Sequence, residues 1–526
     1  MANRLSKRTP RVTLPGAASL LVITMLMAQV LGFFRVKLIN ANFLLENTDV
    51  YFAAFKIPDF FFYVLAAGVL GVVLIPILSE RMYKSDRRGV WQLSNNLMNL
   101  LALVTLAIGV IILIFAEQLI GIVLPDPNVS QLADATAMLR LVAFNPFFFT
   151  ISGILTSTQQ VFGRFFFFAI TPLVYNLAII VSIFIFKDSS IGIVGLGIGA
   201  LVGGMLQLSV AGLGVLGLNF HWKPEIKFKN KDFKKILQQL PARSLDQGVD
   251  SVNSIVETNR ANLLGQGVIS SYENAFVLHT APILLIGSSI STAAFPRLTE
   301  RISQGRVDLF RKEFINVLRV LMWIAVPTMI IAFFCRGYLA RIIYTKGSPQ
   351  IALILGFLSV AIFFRIIFAL LTRYFYAHKD STTPLIISVF AIALNIILVF
   401  TLAREEAYGV AGLGLAQSIT SGTEVLVLGT VIYLRDKKIF TKEFWEYSIK
   451  LVSVSGFSMI VAFIMLQILP LLADDAGFFV LGSKLTAIAT IVAATHVGVS
   501  ALFGIKEATD FISKIKKLVL SPVKLQ

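Results

Sequence analysis

PARSLDQGVDSVNSIVETNRANLLG, residues 241–265, is long enough to cross a bilayer and lies mid-chain between strongly apolar runs, yet it carries Asp246, Asp250, Asn253, Glu257 and Arg260. Those five residues follow steps of four, three, four and three, which stack side chains on one face of an α-helix. A charged residue near the middle of a membrane helix costs about 2.5–3.5 kcal/mol on insertion scales. A stripe of this kind is therefore expected to face partners or a water-filled cavity, not lipid. It is the best functional lead in the chain.

The surrounding sequence sets the class. Of 526 residues, 56% are hydrophobic and only 14% charged, and the mean hydropathy is +0.82. Apolar runs of roughly 20 residues, each long enough for a hydrocarbon core about 30 Å thick, recur along the chain, which predicts an all-α polytopic membrane protein. The net charge of +17 sits in short segments between those runs, so it reads as topology-setting loops beside anionic lipid, with no nucleic-acid partner. A single cysteine, Cys335, excludes an intrachain disulfide.

The basic start MANRLSKRTPR leads into a retained first helix, and fourteen spans are predicted: 14–34, 50–79, 92–116, 136–158, 165–186, 190–218, 241–264, 270–296, 314–335, 350–372, 382–403, 409–433, 447–472 and 481–504. With the amino terminus in the cytoplasm, the cytoplasmic segments hold 31 basic residues and the opposite ones 8, as the positive-inside rule requires. Both termini are then cytoplasmic. The outer loop with Arg336, Arg341 and Lys346 runs against the rule and is a functional candidate. The basic segment 219–240 divides a six-helix bundle at 1–218 from a second at 241–433, and 434–526 forms a terminal helix pair with a basic tail. RFFFFAITPLVYNLAIIVSIFIF at 164–186 resembles RYFYAHKDSTTPLIISVFAIALNIILVF at 373–400, with Thr-Pro opening a helix in each. Six helices per half make such repeats parallel, with a substrate path between the bundles.

Within the stripe, Glu257 and Arg260 are spaced to pair. Glu257, with Asp250 and Asn253, is the expected site for a coupling proton or sodium ion. In TDVYFAAFKIPDFFFYVLAAGVLGVVLIPILSE, residues 48–80, Asp49, Lys56 and Asp59 share a face, Pro58 frees a backbone carbonyl, and the glycine-containing run 66–71 allows close approach or a hinge. Arg35 is placed to reach Asp49, and Lys56 to pair with Asp59. Arg365, deep in AIFFRIIFALLTR, needs a partner such as Glu424 or a phosphate. Gln29, Arg140, Glu273 and His279 are lesser cavity candidates. No P-loop, paired CxxC, HExxH or GxSxG occurs, so ATP hydrolysis and classical hydrolytic catalysis have no support, and no metal or cofactor is expected.

VLGFFRVKLI at 30–39, TDVYFAAFKIPDF at 48–60 and LIPILSE at 74–80 together resemble the amino-terminal signature of the MviN/MurJ family of lipid II flippases, a branch of the multidrug/oligosaccharidyl-lipid/polysaccharide exporter superfamily. The resemblance implies a transporter, not an enzyme, in the bacterial cytoplasmic membrane. It would turn an undecaprenyl-linked peptidoglycan precursor to the outer leaflet by alternating access, with the lipid tail in a groove at the terminal pair. Arg35 matches a functional arginine of the family's first helix, and Asp49 the acidic residue opening its second. Gln29, Phe62, Tyr63, Ala67 and Val277 stand where the family pattern has charged residues. A pyrophosphate headgroup needs cations or backbone donors in a low-dielectric cavity.

The expected function is therefore a lipid II flippase, with the headgroup held by Arg35, Asp49, Lys56, Asp59, Arg260 and Arg365. Transport would be driven by membrane potential, H+ or Na+, with membrane lipids and cell-wall synthesis proteins as further partners. Three alternatives stay open: a flippase for another polyprenyl-pyrophosphate glycan, an ion-coupled small-molecule exporter, and a non-transporting cell-wall scaffold.

Overall fold

In hydrocarbon every backbone N–H and C=O must be satisfied within the protein, which is why the apolar runs fold as helices. The computed structural model describes residues 14–67, 73–344 and 347–520. Among these residues every regular element is helical and no strand occurs. Eleven of the helices are long and apolar enough to span a membrane. The described residues of the expected spans at 14–34, 50–79 and 241–264 fall on helical segments outside those eleven, the last because of its charges. The chain divides into two compact units, one reaching to Ser270 and one beginning at Ser271.

In the first unit, α1 (Leu14–Asn42) precedes α2 (Leu45–Phe62), which keeps Pro58 inside it and passes into a π-helical turn at Tyr63–Ala67. The expectation of close approach at 66–71 falls largely outside the described residues. The chain continues through α3 (Ile75–Tyr83), α4 (Arg87–Ile114), α5 (Ala116–Val123), α6 (Val129–Val142), α7 (Asn145–Val161), α8 (Phe166–Phe186) and α9 (Gly195–Leu213). Leu74, Leu78, Leu93, Leu97, Ile154 and Phe233 pack together in a core of this unit.

The seventh predicted span is α10 (Lys231–Leu263), which starts ten residues earlier than its apolar content suggests. Asn230 caps it, its side-chain oxygen accepting from the amides of Asp232 and Phe233, and polar turns outside hydrocarbon are free to be helical. Residues 231–240, read as linker, are therefore the first turns of this helix.

The second unit takes up α11 (Val268–Pro282) from Ser271 onward and continues into a π turn at Ile283–Ser288 and then α12 (Ser289–Ser303). Gly287 in that turn sits where a Cβ would come within 2.9 Å of the Ile366 Cα, so the absent side chain permits the close approach. There follow α13 (Val307–Phe334), α14 (Arg336–Ile343), α15 (Ser348–Ala377), α16 (Thr382–Leu402) and α17 (Ala411–Arg435). The terminal pair, α18 (Lys442–Ile468) and α19 (Phe478–Leu502), packs on this unit through Trp323, fully buried Cys335 and Tyr338 against Leu451, Ile488 and Val492. It ends in α20 (Lys506–Leu520).

The Thr-Pro repeat differs from its sequence reading. Thr383 and Pro384 lie in the first turn of α16, whereas Thr171 and Pro172 lie more than a turn inside α8. In the outer loop, Arg341 donates to the Leu472 carbonyl at 2.6 Å, so its charge is tied to the chain that follows α18. Lys346 falls outside the described residues.

Candidate functional site

The helical face predicted on α10 is present, and it meets α2 within the first unit. Lys56 Nζ on α2 donates to Ser254 Oγ on α10 at 2.7 Å. One step along, Asn253 Nδ2 donates to Glu257 Oε1 at 3.0 Å, and both side chains are buried, 8% and 4% exposed. The four-residue spacing that puts two side chains above one another on a helix also makes this bond possible. Asp250 is exposed and Arg260 half-buried. The side chain of Asp246 lies outside the described residues. Gly248 lets α10 pass close to the π turn of the second helix, since a Cβ there would lie 2.9 Å from Val64.

Arg35 does not reach Asp49. Both Asp49 oxygens are taken by the start of α11: Oδ2 accepts from the Gly267 amide at 2.6 Å, and Oδ1 from the Ser270 amide and hydroxyl at 2.7 Å each. The carboxylate is 2% exposed. A helix N-terminus offers unpaired amides and a partial positive charge, which together satisfy a buried anion. Arg35 is half-buried on α1. Arg35 and Asp59 both lie within electrostatic reach of Tyr51, which is buried, and of Tyr175, which is half-buried, and the Tyr175 hydroxyl accepts from Asn145 Nδ2. Arg35 and Asp59 are thus related through two tyrosines that the sequence reading did not single out. No local pattern linked positions on three helices.

In the second unit, Arg365 Nη1 donates to Glu424 Oε2 at 3.1 Å, and Ser388 Oγ donates to the other oxygen at 2.7 Å. Glu424 is 3% exposed and the Arg365 side chain 29%. Burial demanded a partner for Arg365, and the protein supplies it. His279 is 3% exposed, with no hydrogen-bond partner for either ring nitrogen among the described residues, and it lies within electrostatic reach of Arg365. Gln29 and Arg140 are exposed. Among the described residues no three His, Cys, Asp or Glu side chains converge as a metal ion would require.

Eleven apolar helices able to cross a membrane, with a further helix that keeps buried polar side chains, define a multi-pass membrane protein. Comparison with known proteins narrows this. A solved structure described as lipid II flippase MurJ in an inward closed conformation superposes with a TM-score of 0.73 at 23% identity, covering 90% of this chain and 98% of that one. An inward-facing multidrug resistance MATE transporter superposes at 0.64 with 14% identity, over 80% and 99% of the two chains. These likenesses show the fold. In sequence, the chain is 24% identical over 431 residues to a probable lipid II flippase MurJ of Borreliella burgdorferi, covering 80% of this chain and 83% of that one. It is also 24% identical over 438 residues to the lipid II flippase MurJ of Burkholderia cenocepacia, covering 79% and 82%. The family model described as lipid II flippase MurJ matches residues 45–485. The chain belongs to the lipid II flippase MurJ family.

Proposed function

We propose that this protein translocates the lipid-linked peptidoglycan precursor lipid II across the bacterial cytoplasmic membrane by alternating access. The observation that carries the reading is family membership over residues 45–485 in a chain whose α10 holds buried polar side chains that no lipid-facing helix would keep. On this reading Arg35, Lys56 and Arg260 draw the pyrophosphate headgroup, Asp59 tunes them, and Arg365 adds charge from the second bundle. Asp49 serves by fixing the helix ends around the site. Fourteen spans would put both termini in the cytoplasm, and the bundles 1–218 and 241–433 would rock about the path while the terminal pair takes the lipid tail. Glu257, held by Asn253 and continued by Asp250, is the coupling site for H+ or Na+, with membrane potential as the alternative drive.

A second reading rests on the uncharged residues Gln29, Phe62, Tyr63, Ala67 and Val277: a different polyprenyl-pyrophosphate glycan as cargo. The test expresses the protein in bacteria depleted of their own lipid II flippase and measures growth together with lipid II accessibility at the outer leaflet. Restoration of both, lost in Arg260→Ala, supports the proposal. Failure to expose lipid II by a protein that is stably inserted overturns it, and purified lipid competition then identifies the other glycan.

A further inference from the structure

The chain between α9 and α10 is not a slack connection. Side chains at the start of α4 hold its backbone at successive points. Trp91 Nε1 donates to the Leu218 carbonyl at 3.0 Å and Asn95 Nδ2 to that of His221 at 3.0 Å. Asn99 Nδ2 donates to the carbonyls of Lys223 and Glu225, while its own oxygen accepts from Trp222 Nε1 at 2.9 Å. Asn96 bonds both the carbonyl and the amide of Lys227 at 3.3 Å. At the far end Arg81 donates to Asn230 and pairs with Asp232 at 2.6 Å. Backbone groups that would otherwise need water are satisfied by protein, and the segment is fixed in one conformation.

That fixed backbone presents a distinct surface. Lys223, Lys227, Lys229, Lys231, Lys234 and Lys235 are all exposed. Between them Trp222 and Phe228 are 60% and 55% exposed. The acids within the segment are Glu225, paired with Lys227 at 2.7 Å, and Asp232, already taken by Arg81. Exposed large aromatics flanked by lysines are unfavourable in water but suit the headgroup layer, where rings sit at the interface and ammonium groups reach lipid phosphates. The location fits as well. The segment leaves a membrane-spanning helix at Leu213, and its backbone is held against the start of another, α4, by Trp91, Asn95 and Asn99.

We infer that residues 219–235 form a docking surface for the anionic phospholipid headgroups of the leaflet they adjoin, with Trp222 and Phe228 as interfacial anchors and the lysines as phosphate contacts. The asparagine row of α4 serves this surface by spending its bonds on the backbone, so that the lysine side chains other than Lys227, which pairs with Glu225, are left to the lipid.

The test places an environment-sensitive fluorophore at Phe228→Cys, with buried Cys335 left in place, and reconstitutes the full chain into nanodiscs of phosphatidylcholine alone or mixed with phosphatidylglycerol. The expected result is a blue shift in anionic discs that high salt reverses and that Lys223→Gln/Lys227→Gln/Lys229→Gln removes. In native mass spectrometry the same triple variant should bind phosphatidylglycerol at least about tenfold more weakly. Lys506→Gln/Lys514→Gln/Lys516→Gln, at the far end of the chain, should bind like the parent. Identical spectra in the two discs, a shift that survives the loop variant, or an equal loss in both variants would overturn the inference, and the first of these would turn the surface toward a protein partner.

Discussion

Asp49 caps a helix that begins more than two hundred residues after it: its carboxylate accepts both the amide and the hydroxyl of Ser270. The start of α2 is thereby locked to the start of α11 within the first unit. Asp49→Ala leaves the Gly267 and Ser270 amides buried without their acceptor, and each such loss costs about 1–3 kcal/mol. Thermal unfolding in detergent should show a large fall in melting temperature. Asp49→Asn, which keeps one acceptor oxygen, should lose about half as much. Equal stability of all three proteins would refute the capping role.

Lys56 and Ser254 join α2 to α10 by one charge-assisted bond. A double-mutant cycle with Lys56→Met and Ser254→Ala should give a coupling energy of about 1–2 kcal/mol. Additive single effects would mean that Lys56 matters only through other contacts.

Glu257→Gln keeps an oxygen able to accept from Asn253 while removing the charge. If Glu257 is the coupling site, the variant should melt within a few degrees of the parent yet lose the dependence of lipid II exposure on an imposed ion gradient. Retained gradient dependence would move the coupling elsewhere.

Arg365→Ala strands Glu424 as a buried unpaired carboxylate. Breaking a buried pair typically costs about 3–5 kcal/mol, and the partial exposure of Arg365 argues for the low end, about 3 kcal/mol. Arg365→Ala/Glu424→Gln should recover much of that loss, as judged by chemical unfolding. No recovery would show that Arg365 contributes mainly by packing on Phe368.

The loop between α18 and α19 carries a pH-dependent contact. The Lys484 ammonium, and after it the Leu472 amide, hold the Asp475 carboxyl below its ordinary value. A carboxyl depressed on folding adds stability above its unfolded value, and that stability disappears as pH falls through the folded value. Lys484→Met should therefore melt below the parent at pH 5–8, and the gap should close below about pH 4, the ordinary range for an aspartate. A gap constant down to pH 3 would remove this pair from the account.

Several elements were readable because their signal is local. The apolar runs announce helices, and the i, i+4 spacing of Asn253 and Glu257 already contains their bond. The place of Arg365 inside an apolar run called for a partner, Glu424 or a phosphate, and Glu424 is the one found. Asn230 followed by Lys231 and Asp232 is a readable helix start, hidden only because apolarity does not mark a helix that leaves the hydrocarbon. The contact of Asp49 with Ser270 was not readable. Its donors are backbone amides, which carry no residue identity, and they arrive from a distant part of the chain. The placement of Arg35 and Asp59 within electrostatic reach of Tyr51 and Tyr175 is likewise a product of packing among helices. The asparagines of α4 look like ordinary polar residues until the chain they hold is seen beside them.

The π turn at Ile283–Ser288 adds a residue to a helix that would otherwise keep one phase. An α-helix advances about 100° per residue, so the face that carries His279 does not continue into the face that carries Arg301. A cysteine-accessibility scan from Val268 to Ser303 should show two stretches of 3.6-residue periodicity that fail to join into one wave. One helix thereby addresses two different surroundings along its length, and deleting a single residue from the turn would merge them.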